Sequence, residues 1–154
     1  MIHMDRTLRG PERRVVEKAL GYVIQNHQLL VFTHDDTPIT VTGVQVPGGT
    51  IEPTESPEDA VVREVFEETG VAVRIVNSLG TAFYDAWPTK PELHKRHFFQ
   101  LAPLQQVEMD SWSAGEMDCS DGGAPQRWTC YWMPIEHAHV LCAGMGAKLG
   151  ELEL

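Results

Sequence analysis

The sequence predicts a single α/β domain: a mixed β-sheet with helices packed on its faces. Three observations point there. Strand-like segments, one strongly periodic helix, more strand-like segments and a closing helical stretch follow one another along 154 residues, an order in which helices must cover a sheet. The length suits one core, since domains commonly run to about 100–150 residues. The apolar fraction of 42% lies only slightly below the globular average of about 45–50%, so a packed interior is expected. Residues 13–154 form the expected domain. Residues 1–12 are polar, carry Gly10-Pro11 and are expected to be a flexible arm.

Taken in order, Arg14 to Ile24 is rich in Val, Tyr and Ile and predicts a strand, and Gln28 to Thr33 predicts its partner. Gln25-Asn26-His27 between them fits a hairpin turn. Ile39 to Val46 predicts another strand, stopped by Pro47-Gly48-Gly49. The period then changes to helical. Ser56 suits an N-cap, Pro57 the first helical position, and Glu58 and Asp59 the positive end of the dipole. Helical character runs to Thr69, and Gly70 is a natural stop. Val71 to Val76, Leu79 to Tyr84, His94 to Leu101 and Gln126 to Met133 return to strand character, with a two-proline loop over Asp85 to Leu93. Pro134 to Leu149 is expected to close the fold as a helix, weakened by two glycines. Pro103 to Pro125 lacks periodicity and reads as a long acidic loop, a kind that is usually functional or disordered.

The formal charge is -10, and no Lys/Arg run provides a nucleic-acid footprint. An acidic protein that handles phosphates needs bound divalent cations between the like charges. Cys119, Cys130 and Cys142 form no CxxC pair, which argues against structural zinc. Three unpaired thiols without a signal peptide fit the reducing cytoplasm. No apolar run approaches the roughly 20 residues a membrane helix needs.

The chemistry concentrates in the helix. At about 100° per residue, with Glu64 at zero, Glu68 falls near +40° and Glu67 near −60°, so three carboxylates share an arc of roughly 100°. Val62, Val65, Phe66 and Thr69 fall on the other side and are expected to anchor the helix. Like charges at this spacing repel by a few tenths of a kcal/mol per pair, and the C-terminal half of a helix disfavours anions further. Stability alone would not choose this arrangement; a hard cation reverses its sign.

Gly49, five residues, Glu55, seven residues, then Arg63-Glu64-Val65-Phe66-Glu67-Glu68-Thr69-Gly70-Val71 resembles the Nudix box at every defined position. Seven fixed residues would match by chance roughly once in 10⁸ starts. The resemblance implies the family's α/β/α sandwich around a mixed sheet, with a loop–helix–loop that holds divalent metal. It implies Glu64, Glu67, Glu68 and the backbone carbonyl of Gly48 as metal ligands, and Mg²⁺, or Mn²⁺ in its place, as the cofactor. The catalytic set implied is Glu67, which assists deprotonation of water, with Arg63 and Glu55 as the pair that braces the loop against the helix. Glu52 could hold a second metal or only water. A base from the later loop is the alternative, and Glu108, Glu116, Asp118 and Asp121 stand level for it. The implied reaction is hydrolysis of a phosphoanhydride in a nucleoside diphosphate linked to another moiety: a nucleotide sugar, ADP-ribose, a dinucleoside polyphosphate or a nucleoside triphosphate. The expected partner is that small nucleotide, with neither nucleic acid nor membrane; many family members also form homodimers.

Other features carry less. Tyr84, Trp87 and Trp112 could stack on a base or simply pack. Trp128, Cys130 and Trp132 alternate and share one face of their strand. His94 and His97 point to opposite faces and cannot share a metal. Markers of the ADP-ribose, diadenosine polyphosphate and NADH subfamilies fit poorly or are absent, so no substrate-binding residue is assigned. Two other functions stay in view: a nucleotide-binding module of the same fold without turnover, and an enzyme resembling isopentenyl diphosphate isomerase, which would use a catalytic cysteine.

Overall fold

A computed structural model describes residues 10–116 and 125–154 of the chain. β1 (Arg14–Gln25) and β2 (Gln28–His34) form the expected hairpin. Asn26 and His27 both take positive φ, 52° and 59°, which is the two-residue turn whose twist matches flanking strands. β3 (Gly48–Thr50) follows, then α2 (Pro57–Thr69), β4 (Val73–Asp85), β5 (Glu92–Pro103), β6 (Ser111–Glu116) and β7 (Gln126–Pro134); a short α1 (Ile39–Thr42) precedes β3. Among the described residues the strand order is β4-β5-β1-β2-β7-β6, with β3 paired to β1. β5 runs parallel to β1, and the remaining pairs are antiparallel, so the sheet is mixed. β3 lies against Lys18–Leu20 and β2 against Ile24–Gln25. The double glycine thereby sits beside the middle of the sheet rather than at its rim.

Both faces of β1 are covered, which explains the unbroken burial of Ala19 to Val23. Ala19 and Val23 join Ala60, Val61 and Val65 of α2 and Leu101 of β5 in one core. Leu20 and Tyr22 point the other way, into a second core with Val31, Val46, Phe98 and Met133. That core is closed by 3₁₀ helices and turns, Ile135–Val140 and Leu149–Glu151, with Leu141 and Met145 between them. Among the described residues no helix is long and apolar enough to cross a membrane.

Four sequence expectations are corrected here. Ile39 to Val46 is not a strand: Pro38 and Gly43 (φ 67°) bracket a single helical turn whose Ile39 and Val41 face solvent, and only isolated bridges at Val44 and Gln45 follow. Among the described residues, Ile39 to Thr42 pair with no strand, and Val44 makes a single bridge to Leu141. Pro134 to Leu149 is not one α-helix, because Ala143 and Gly144 take positive φ, 50° and 69°, and break it. Val71 to Val76 and Leu79 to Tyr84 belong to one strand, bent by irregularities between Ile75 and Asn77 and between Ser78 and Gly80. The acidic segment after Pro103 contains β6, which pairs with β7. Of the proposed arm, residues 1–9 lie outside the described part.

Candidate active site

α2 starts and stops as its sequence dictates. The Ser56 hydroxyl accepts from the Asp59 N–H at 3.1 Å, Pro57 opens the helix, and Gly70 (φ 77°) ends it with its N–H on the Phe66 carbonyl at 2.8 Å. The helix is rotated from its expected setting. Ala60, Val61, Val65 and Thr69 are buried, whereas Val62 is only half-buried and Phe66 is 56% exposed. The shorter side chains let the helix approach the sheet closely. This rotation carries Glu64 and Glu68 to the margin of the packed face, against β3, rather than to the far side of the helix.

The double glycine receives them. The Gly48 N–H donates to Glu68 Oε1 at 3.0 Å. At Gly49 a Cβ would lie 2.4 Å from Glu64 Cδ and 2.5 and 2.6 Å from its oxygens, so only a residue without a side chain leaves that carboxylate its place. Glu68 is the most enclosed acid. Burial pushes its pKa well above the ordinary carboxylate value; the Gly48 N–H opposes this, and the charges of Glu64 and Glu67 add to it. Glu67, at the outer edge, has a side chain 56% exposed.

Arg63 ties the group together. Its Nε and Nη2 grip the two oxygens of Glu55, both at 2.7 Å, the bidentate fork that a lysine could not make. Its Nη1 reaches Glu64 at 2.9 Å and Glu67 at 3.1 Å. The Arg63 hydrogen bond holds the Glu55 carboxyl down at about 2. Glu55 in turn accepts from the Glu52 N–H at 3.2 Å, closing the loop, while Glu52 itself is exposed and 4.0 Å from Arg63.

Two tryptophans hold the acid-bearing end of α2 in place. The Trp112 indole N–H donates to the Thr69 carbonyl and that of Trp128 to the Glu68 carbonyl, each at 2.7 Å. These are carbonyls that a helix C-terminus leaves without an intrahelical partner. Trp128, Cys130 and Trp132 do share one face, packed on the core around α2.

Glu64, Glu67, Glu68 and Gly48 form one wall of a cleft of about 620 Å³. Phe32, His34 and Trp128 line the same cleft, with ring centroids 5.6 Å apart for Phe32–Trp128 and for His34–Trp128. Sequence reasoning missed Phe32, His34, Gln45 and Gln126. Alternation along β2 signals that Phe32 and His34 share a face, but both faces of the sheet are covered, so the pattern could not say which one meets a ligand. Of the proposed stacking residues, Tyr84 lies under Arg96 at 4.1 Å and Trp87 under Arg13 at 5.3 Å, away from the cleft. Trp112 lines a cavity of about 870 Å³, together with Glu108, that shares Glu67 and Gly115 with the cleft. His94 and His97 are apart as expected, bonded to Glu92 and Glu17 respectively. Asp118, Asp121, Cys119 and the side chain of Glu116 lie outside the described residues.

The donor set fits a hard cation. It is all oxygen and anionic, and burial together with the neighbouring Glu64 and Glu67 charges raises the Glu68 pKa. Among the described residues no three such side chains already converge as a cage; Arg63 and the Gly48 amide hold their oxygens instead.

The family model for the NUDIX domain matches residues 17–148. An RNA pyrophosphohydrolase of Pectobacterium atrosepticum is 33% identical over 107 residues, covering 59% of this chain and 56% of that protein. One from Vibrio cholerae is 29% identical over 103 residues, covering 59% and 58%. The chain thus spans less than three fifths of the length of these relatives. Among solved structures, a MutT NUDIX hydrolase from Burkholderia pseudomallei superposes with a TM-score of 0.66 at 15% identity, covering 92% of this chain and 100% of that one. A MutT protein from Methanosarcina mazei gives 0.63 at 18%, covering 92% and 95%. At these identities the likeness speaks for the fold.

Proposed function

The chain belongs to the NUDIX family, and from that premise we propose that it is a divalent-metal-dependent hydrolase of a phosphoanhydride in a small nucleotide. Mg²⁺, or Mn²⁺ in its place, would be held by Glu64, Glu67 and Glu68 with the Gly48 carbonyl. The observation that carries this reading is the placing of Glu64 and Glu68 against a double glycine, with Glu67 beside them on Arg63, in a cleft also lined by aromatic rings. About 620 Å³ falls within the roughly 300–1,000 Å³ of small-molecule sites.

Bound metal would neutralise the phosphate charge and acidify the attacking water. The protein's own residues do the rest. Glu55 and Arg63 act as positioning residues: the fork locks the loop to the helix, and the remaining Arg63 nitrogen aims Glu64 and Glu67. Glu67, the most open of the three acids, takes the proton from water. Phe32 and Trp128, both nearly buried and inclined to each other by 37°, give the cleft an apolar wall.

The buried Cys130 thiol is pushed up to about 12 by its burial, and burial also raises Cys142. Neither of these two described thiols suits the cysteine chemistry of an isomerase; Cys119 lies outside the described residues. The test is a screen of ADP-ribose, dinucleoside polyphosphates, nucleoside triphosphates and a 5′-triphosphorylated oligonucleotide with Mg²⁺, using EDTA as control. Glu67→Gln and Glu68→Gln are expected to lose most turnover; wild-type rates in either would remove the role from that residue. Tight nucleotide binding without turnover under several metals would replace the hydrolase by a binding module.

A further inference from the structure

A second, smaller cavity adjoins the acidic cleft, and Gln45, Gly48 and Glu68 wall both. Its volume is about 140 Å³, and Lys18, His94 and Arg96 line it. β1 and β5 bring these side chains together by register: Lys18 lies beside Arg96, and His94 is two residues before Arg96 on the same strand face. Arg96 is only 6% exposed. Its Nη1 donates to the Ala143 carbonyl and its guanidinium lies over the Tyr84 ring, while among the described residues its buried Nε has no hydrogen-bond partner. Lys18 Nζ donates to the Thr50 hydroxyl at 2.7 Å. Among the described residues neither Lys18 nor Arg96 has a carboxylate in ion-pair contact. The nearby Glu92 is taken by Arg14 at 2.8 Å and His94 at 2.9 Å. A buried guanidinium without a carboxylate is costly, and in a chain of net charge -10 it marks a place for an anion that arrives from outside.

Size narrows the anion. About 140 Å³ is the liquid volume of some four to five waters at about 30 Å³ each. That admits a phosphoryl group. The geometry points to this cavity as the seat of the phosphoryl group beyond the scissile anhydride, an assignment that rests on the hydrolase reading. The nucleoside then occupies the larger cleft and the anhydride spans Glu68. Lys18 and Arg96 favour a nucleotide whose phosphate chain ends in phosphate, because a terminal phosphoryl group carries more negative charge than one capped by a second nucleoside or a sugar. In the reaction one water adds its oxygen to a phosphorus of the anhydride. The P–O bond to the bridging oxygen breaks, and its electron pair leaves on that oxygen with the departing phosphate. One water proton passes to a carboxylate and on to solvent, and the other stays on the new hydroxyl. Lys18 and Arg96 hold the departing anion, with Arg96 as the planar partner that phosphate oxygens favour.

The test measures binding of inorganic pyrophosphate by calorimetry, in millimolar Mg²⁺, to wild type, Lys18→Met and Arg96→Met, with a nucleoside monophosphate as the reference ligand. Because Arg96→Met removes a core contact, Lys18→Met, which keeps the side-chain bulk, decides the matter wherever the Arg96 variant melts early. Pyrophosphate affinity is expected to fall roughly 10-fold or more in Lys18→Met, with monophosphate affinity unchanged within about twofold. The KM for a nucleoside triphosphate should rise in parallel. Unchanged pyrophosphate affinity, equal losses for both ligands, or no pyrophosphate binding by wild type would overturn the assignment. If ADP-ribose is cleaved fastest and Lys18→Met cleaves it normally, the hydrolase stands and the subsite falls. If nothing is turned over while pyrophosphate binding still depends on Lys18, the subsite stands and the hydrolase falls.

Discussion

Replacing Gly49 by alanine adds one methyl group at the point where helix and strand meet. The new carbon would sit 2.4 Å from Glu64 Cδ, whereas carbon atoms in contact prefer about 3.5–4.0 Å. The carboxylate must therefore retreat by about 1 Å. Gly49 does not take a left-handed φ, so the backbone tolerates the change and the strain falls on the side chain. Glu64 would lose its 2.9 Å bond to Arg63 or drag that group with it. A displacement of this size at a reacting centre costs up to about 100-fold in rate, and overpacking costs about 1–3 kcal/mol, at the low end here because a flexible side-chain tip can yield. Gly48→Ala is the contrast. Its methyl would meet the Ala19 carbonyl oxygen at 2.5 Å and Leu20 Cα at 2.9 Å, backbone atoms that cannot step aside without breaking the β1–β3 pairing. The assay is kcat/KM at saturating Mg²⁺ beside the melting temperature. Gly49→Ala is expected to lose activity with a Tm near wild type, and Gly48→Ala to lose both. A Gly49→Ala enzyme with wild-type kcat/KM would refute the placement of Glu64 in the site.

Trp128→Phe keeps the ring but leaves the Glu68 carbonyl without its 2.7 Å donor. A loss of about 1–3 kcal/mol should lower the Tm by several degrees and raise the metal concentration needed for half-maximal activity; an unchanged Tm would mean that the indole does not hold the helix end. Mg²⁺ at about 100 times its Kd should stabilise the fold by about 2.7 kcal/mol, a rise of about 5–10 °C in a scanning melt, while a Tm indifferent to Mg²⁺ and to EDTA would count against a metal site. Glu55 is held at about 2 against an ordinary 4.5, so its contribution to stability is complete above about 4.5 and is lost as pH falls toward about 2. In Glu55→Gln the acid-unfolding curve should be shallower across that window, with a residual slope from Glu92, also held near 2 by His94 and Arg14; a curve superposable on wild type would show that the fork gives no pH-dependent stability.

Local signals carried much of this molecule. Ser56, Pro57 and Gly70 set the ends of α2 because capping and left-handed φ are properties of single residues. The Glu55–Arg63 fork was legible through the resemblance to the Nudix box, which implies that pair, and one loop and one helix hold the two residues at the distance the fork needs. The rotation of α2 was not, since it depends on which side chains the sheet admits; Phe66 is apolar yet faces solvent, and Glu68 is charged yet enclosed. The tryptophan ties to Glu68 and Thr69 cross 60 and 43 residues of sequence, beyond any periodicity. Phe32 and the trio Lys18, His94 and Arg96 stayed hidden for a related reason: register between β1 and β5, not spacing along the chain, brings them to a cavity. The closing helix failed because Ala143 and Gly144 reverse the chain within a stretch whose composition is otherwise helical.

Metal binding itself is the most direct measure of the central claim. Mn²⁺ bound per chain, counted by electron paramagnetic resonance in wild type and in Glu68→Gln, isolates the carboxylate cluster from substrate and turnover. At least one tightly bound ion in wild type is expected. In Glu68→Gln the affinity should be weakened tenfold or more, with a metal-free Tm no lower than wild type, because the variant removes an enclosed charge. Equal Mn²⁺ occupancy in the two proteins, or none in either, would contradict the claim that these acids are gathered to hold a cation.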